Sequence, residues 1–286
     1  MHKKQKTNMN NLKINYESKF KNILQRSYVN PLADLEHPPI AISKGYTNSY
    51  SALPIAMATF GNFSFVQAPP KSKKTFFLSL MASAFLKSSK FNDDEHFGDM
   101  TGNRTNKSLI HYDTEQSSYH AQKVFKRVLD MSGSCDDYYT YALREYDPKE
   151  RLDFIDWHLN TQEDIGFVVI DGIADLIYDV NDLSESSKLV QHLMRWTEEL
   201  NVHIVCAIHS NFNSDKPTGH LGSFLEKKAE TQIQLDAVED GIVIVRCKRT
   251  RNFPFEEFAF QVGKDGLPRV LSEIPEIVGA DKYLKL

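Results

Sequence analysis

Phe63-Ser64-Phe65-Val66-Gln67-Ala68-Pro69-Pro70-Lys71-Ser72-Lys73-Lys74-Thr75 reads as a strand that runs into a phosphate-binding loop. The consensus for such a loop, G-x-x-x-x-G-K-[ST], wraps backbone N–H groups around an anion. Its Lys reaches the terminal phosphates and its hydroxyl holds Mg²⁺. Lys74 and Thr75 supply the last two parts, and Ala68, Lys71, Ser72 and Lys73 fall on the cradle. The apolar run over 75–86 predicts a helix whose N-terminus faces the anion. Both glycines of the consensus are replaced. Ala68 is a mild departure, whereas Lys73 is a serious one, because glycine permits backbone angles and a close phosphate approach that a side chain resists. Taken alone, the stretch fits a basic surface loop ahead of a buried helix equally well.

Working outward, strand-like and helix-like segments alternate. Strands are expected at 63–67, 108–113, 138–144, 166–170 and 202–208, and helices at 75–86, 117–131, 148–159 and 184–200. That alternation predicts an α/β fold with a mainly parallel sheet covered on both faces. Short apolar runs at 231–235, 241–247 and 255–262, separated by Gly, Asp and Pro, predict an antiparallel edge of hairpins. The organisation expected is a basic, flexible arm over 1–30, an irregular lead-in over 31–60 punctuated by proline and glycine, and one domain over 61–286.

Composition bounds the class. With 286 residues, 41% of them apolar and 25% charged, the chain suits one large soluble domain. No apolar run approaches the roughly 20 residues that span a bilayer, and no apolar stretch follows the N-terminal lysines, so a cytoplasmic protein without membrane contact is expected. Cys135, Cys206 and Cys247 stand singly, as reduced thiols do, and form neither a disulfide framework nor a zinc site. Residues 1–30 carry seven cations and one acid, a local +6, which leaves −10 on the rest of a chain of net charge −4. A basic arm on an acidic body can track a phosphate backbone, although a solvated terminus has the same composition.

Four further places can carry chemistry. Asp171 ends the apolar run Phe167-Val168-Val169-Ile170, where a carboxylate leaving a buried strand reaches Mg²⁺ or its water shell. Glu115, just past the second strand, is placed to activate an attacking water, with Asp113 as its competitor; as helix-terminal residues, both have a purely structural use as well. His209 ends the strand 202–208, at the carboxyl end where ligands bind in parallel sheets, whereas His203 reads as a structural or surface histidine. Arg249 and Arg251, with Lys248, follow a late strand; they form either a charged hairpin tip or a cation cluster able to act on a phosphate, from a neighbouring subunit included.

The order of these parts resembles the RecA-like P-loop ATPases, in particular the branch with RepA-type plasmid helicases, KaiC-like proteins and DnaB-type hexameric helicases. Ile208-His209-Ser210-Asn211 is similar to that branch's His-[ST]-Asn sensor, Gly219-His220-Leu221-Gly222-Ser223 to its glycine-serine loop, and Arg249-Thr250-Arg251-Asn252-Phe253-Pro254 to its intersubunit finger. Gly61-Asn62-Phe63-Ser64 with Lys71 to Thr75 also looks like ATPases of bacterial mobile elements, in which a basic residue likewise replaces the second glycine. The resemblance spans roughly 61–262. It implies ATP and Mg²⁺ as ligands, a homo-oligomer such as a hexameric ring, and action on DNA, single-stranded and without sequence reading. In that scheme Lys74 and Thr75 hold phosphate and metal, Asp171 orders the metal, Glu115 activates water, His209 senses the terminal phosphate, and Arg249 and Arg251 act across a subunit boundary. Two other readings stay open, a degenerate P-loop scaffold with little turnover that binds DNA or a replication partner, for which Ala68 and Lys73 speak, and a KaiC-like signalling ATPase that makes no DNA contact.

Overall fold

Nine strands make the main sheet of the computed structural model, which describes residues 17–34, 36–47, 52–88, 95–133, 136–211 and 214–275, with only the backbone at Glu239. Of the basic arm, Lys3, Lys4, Lys6 and Lys13 lie outside the described residues, as does Cys135. The chain divides into two units, Met1–His37 and Pro38–Leu286. In the first, α1 (17–27) is a helix exposed along its whole length.

In the second unit the sheet order is β12-β11-β10-β9-β3-β8-β7-β5-β6. Strands β3 (Phe63–Ala68), β5 (Ser108–Asp113), β6 (Tyr138–Ala142), β7 (Ile165–Asp171), β8 (His203–His209) and β9 (Thr231–Ala237) run parallel. Strands β10 (Ile242–Thr250), β11 (Phe258–Val262) and β12 (Pro268–Val270) add on antiparallel. The expected α/β architecture is therefore present, with one correction. The run at 231–235, read as part of the antiparallel tail, pairs parallel with β3 because helix α6 (Gly219–Lys228) carries the chain back across the sheet between β8 and β9. The antiparallel edge begins one strand later.

The lead-in is not irregular throughout. Ile40–Tyr46 (β1) and Pro54–Thr59 (β2) pair antiparallel, and β1 pairs on its other side with β4 (Met100–Gly102). This three-stranded sheet packs on α2 (Lys74–Lys87), where a Cβ at Gly102 would stand 2.0 Å from the Ala84 carbonyl oxygen, so only glycine lets β4 approach so closely.

Helix α2 is the hub of the core. Phe77, Leu78, Leu80, Met81, Ala82, Ala84 and Phe85 are all buried, and Ser79 and Ser83 are admitted because each hydroxyl donates to a carbonyl one turn back, at 2.8 and 2.7 Å. Helix α3 (Ser118–Ser132) turns Ala121, Val124, Val128 and Met131 inward. Helix α4 (Pro148–Thr161) starts with Pro148 and a reciprocal capping box between Asp147 and Glu150, and α5 (Leu183–Leu200) is capped by Asp182. Fully buried His203 bonds Ser64 Oγ and the Thr59 carbonyl, both at 2.8 Å. Of the two readings, structural and surface, it is the structural one. Among the described residues no helix is long and apolar enough to cross a membrane.

Candidate phosphate-binding site

The parallel strands end together on one side of the sheet. Ala68 is in register with His209, and Asp113 with Asp171, so the phosphate loop, the strand-end histidine and two carboxylates share one edge. They converge on a cavity of about 350 Å³ lined by Lys71 to Phe76, Glu115, Gln116, Val124, Arg127, Asp171 and His209.

The loop solves its missing-glycine problem by strain. Lys73, at the position of the second glycine, adopts the left-handed conformation with φ 63° and ψ 24°, and Lys71 does the same with φ 64°. A left-handed residue other than glycine costs about 1–2 kcal/mol. The Lys73 side chain does not crowd the cradle, since its ammonium lies over the Phe76 ring, 5.1 Å from the centroid. Because Lys73→Gly and Lys73→Ala both forfeit that contact, their difference isolates the torsion. The glycine variant is expected to be the more stable by about 0.5–1 kcal/mol, the reverse of the order in a helix interior, as read from urea midpoints.

Lys74 is buried, and its ammonium donates to the carbonyls of Ala68 and Pro69, both at 3.2 Å, and approaches His209 Nδ1 at 2.8 Å. Burial pulls its pKa down, opposed by Glu115 and Asp171. Burial, then Lys74, pulls His209 down as well. Against these, Asp175 pulls it up. His209 Nε2 stands 3.7 Å from Glu115 Oε1. Burial and Asp175 push the Glu115 carboxyl up, against the pull of Lys74.

Asp113 and Glu115 differ in their surroundings. Asp113 is fully buried and its Oδ1 accepts from the backbone N–H of Glu115 at 3.1 Å and of Gln116 at 2.8 Å, so it shapes the turn. Glu115 is left half-exposed in the cavity. The turn after Asp171 holds it there. Gly172 has φ +106°, and a Cβ on it would meet Thr114 Oγ1 at 2.4 Å and Glu115 Cγ at 2.8 Å.

Asp171 is buried, accepts from the Thr75 hydroxyl, and is pushed up to about 7, chiefly by burial. Its Oδ2 has no hydrogen-bond partner. A buried orphan carboxylate oxygen beside a hydroxyl is the hard-oxygen pair that Mg²⁺ takes from protein when phosphate and water supply its other ligands. The residues fit such an ion. Among the described residues no group of three or more His, Cys, Asp or Glu could hold a metal on its own.

Residues 57–215 match the family model described as AAA domain, AAA_25. The chain belongs to this AAA domain family. A solved structure described as "Crystal structure of the RadB recombinase" is similar in fold, with a TM-score of 0.50 and 14% identity over 74% of this chain and 91% of that chain. No curated protein matches the sequence. The AAA domain of this chain is thus RecA-like in fold.

Not every expected site residue joins the cavity. Thr250, between the two arginines, is in register with Thr231 and through it with Ser64, near the amino end of the parallel strands. Arg249 is exposed and level with Gln232. Arg251 donates from its backbone to the Glu230 carbonyl at 2.9 Å and from its guanidinium to the Lys228 carbonyl at 3.2 Å. Neither lines the cavity. The glycine-serine segment is also different from the loop expected, because α6 begins at Gly219 and absorbs it; residues 212–213 of the preceding loop lie outside the described ones. Sequence reasoning missed Phe76, Gln116, Arg127 and Asp175. Arg127 lies between inward-facing Val124 and Val128, but Lys126 does so too, and the sequence alone does not separate them.

Proposed function

We propose that the AAA domain binds ATP with Mg²⁺ in this cavity and hydrolyses it to drive remodelling of, or movement along, DNA. The observation that carries the reading is the convergence of Lys74, Thr75, Asp171, Glu115 and His209 on one cavity at the carboxyl edge of the sheet. Lys74 and the N-terminus of α2 hold the phosphates, and Thr75 and Asp171 hold the metal, which would neutralise charge on the phosphate oxygens. Glu115 takes the proton of a water whose oxygen attacks the terminal phosphorus, as the bond to the ADP oxygen breaks. His209, bonded to Lys74 and beside Glu115, registers whether the terminal phosphate is present.

The finer reading places the protein with RepA-type and DnaB-type motors. It is a homo-oligomer, a hexamer by that likeness, that acts on single-stranded DNA in plasmid or transposon maintenance, with Arg249 and Arg251 working on the neighbouring subunit's phosphate. Supporting it are the segments Ile208 to Asn211 and Arg249 to Pro254 and the +6 charge of residues 1–30. Steady-state ATP turnover with and without single-stranded DNA tests it. Lys74→Ala should lose at least about 10²-fold in turnover while its thermal melt stays cooperative. Turnover unchanged in that variant would sink the assignment. One observation favours a second reading, a phosphate-loop scaffold with little turnover. Pro69 and Pro70 offer no N–H to an anion, and the Ser72 N–H is spent on the Pro69 carbonyl at 3.3 Å. Absence of turnover with intact DNA binding would select it.

A further inference from the structure

A loop short of amide donors must neutralise phosphate charge by other means, and the cavity holds a cation that no part of the scheme above uses. Arg127, on the third turn of α3, lines the same cavity as the phosphate loop. The central carbon of its guanidinium lies over the Phe76 ring, 3.8 Å from the centroid, and the Lys73 ammonium lies over the same ring at 5.1 Å. Phe76 follows Thr75 directly, so the guanidinium stands beside the first turn of α2, at the helix end that favours an anion.

Among the described residues Arg127 makes one hydrogen bond, from Nη1 to Ser79 Oγ at 3.2 Å, and no ion pair. A guanidinium has five donors in a fixed planar fork suited to phosphate oxygens, so four remain unspent here. Burial and a nearby Asp171 act on it in opposite directions. Holding a half-buried arginine with unspent donors in a loop-lined cavity has a cost that a helix-packing role alone does not require, because the Ser79 contact needs only one donor.

We propose that Arg127 is a further phosphate-binding cation of this site, reaching the phosphate chain of the nucleotide in cis across the ring of Phe76. The proposal rests on the reading of the cavity as an ATP site. Arg127 approaches by way of Phe76 and not through the Lys74–His209–Glu115 group that faces the chemistry, so it binds ground state and transition state alike. Its loss therefore raises KM and leaves kcat in place.

The experiment compares wild type, Arg127→Gln and Arg127→Lys by steady-state turnover and by titration with a fluorescent ADP, after thermal melts establish that each variant folds. Arg127→Gln is expected to raise KM and the ADP Kd roughly tenfold to hundredfold, with kcat within about threefold. Arg127→Lys, which keeps the charge without the fork, should fall between. Unchanged KM and Kd in Arg127→Gln overturn the proposal, and so does a loss confined to kcat. Should Arg127→Gln fail to fold, dicarbonyl labelling of wild-type arginines decides, with saturating ADP expected to protect Arg127; no protection overturns it. A wild type that binds no ADP or ATP overturns the nucleotide reading itself and this proposal with it. Wild-type binding with an indifferent Arg127→Gln overturns the proposal alone.

Discussion

Glu115→Gln should lower kcat about 10²- to 10⁴-fold while ATP binding persists, because the amide keeps the shape of the carboxylate and cannot accept the water's proton. The geometry makes this the sharpest test of the chemical assignment. Asp113 is fully buried, one of its oxygens holds two backbone N–H groups, and it does not line the cavity, so it is not expected to stand in for the missing base. Lys74, Thr75 and Asp171 are untouched, so the nucleotide should still bind. The readout is a pair of measurements, ADP or ATP affinity by titration and single-turnover hydrolysis in saturating Mg²⁺. A variant that hydrolyses at the wild-type rate removes Glu115 from the chemistry. One that loses binding together with turnover assigns it to holding Lys74 and His209 in place.

The second large effect concerns Arg249 and Arg251. An arginine acting on a transferring phosphate contributes about 10³–10⁵ in kcat. Within one subunit the pair lies toward the amino end of the parallel strands, away from Ala68 and the loop, so it can exert such an effect only on a neighbour. The double variant Arg249→Ala with Arg251→Ala should therefore lose turnover by that order, yet retain nucleotide affinity. Mixing it with Lys74→Ala should restore part of the activity, since a Lys74-containing cavity then meets an arginine-containing edge at some interfaces. Light scattering with and without ATP establishes assembly in the same samples. Mixtures no more active than either parent would remove the intersubunit role.

Much of the site was legible because it obeys a simple rule of parallel sheets. A polar residue that ends a buried apolar strand emerges at the carboxyl edge, so Asp171 after Ile170 and His209 after Ile208 could be placed by their neighbours alone. Lys74 and Thr75 were legible from the helix that follows them. What escaped was whatever depends on tertiary approach. Arg127 sits among Lys123, Lys126 and other polar residues of an amphipathic helix, and nothing local separates the cation over Phe76 from those facing water. Strands β1 and β2 were hidden by Pro39, Gly45 and Pro54, since punctuation that usually means a loop here bounds short strands whose partners are each other and three residues of β4. The direction of β9 was set by α6, whose opening glycine-serine segment reads as a loop until its first turn is seen.

The left-handed torsions at Lys71 and Lys73 bear on how such proteins are recognised at all. Glycine is the cheapest residue for those angles, but the requirement is the angle, and a chain stabilised elsewhere by a large core can meet it with lysine. Patterns written as letters treat this loop as broken. Written as torsions, the same loop keeps the left-handed turn at the position of the second glycine, and chains dismissed as inactive for want of that glycine become candidates for assay.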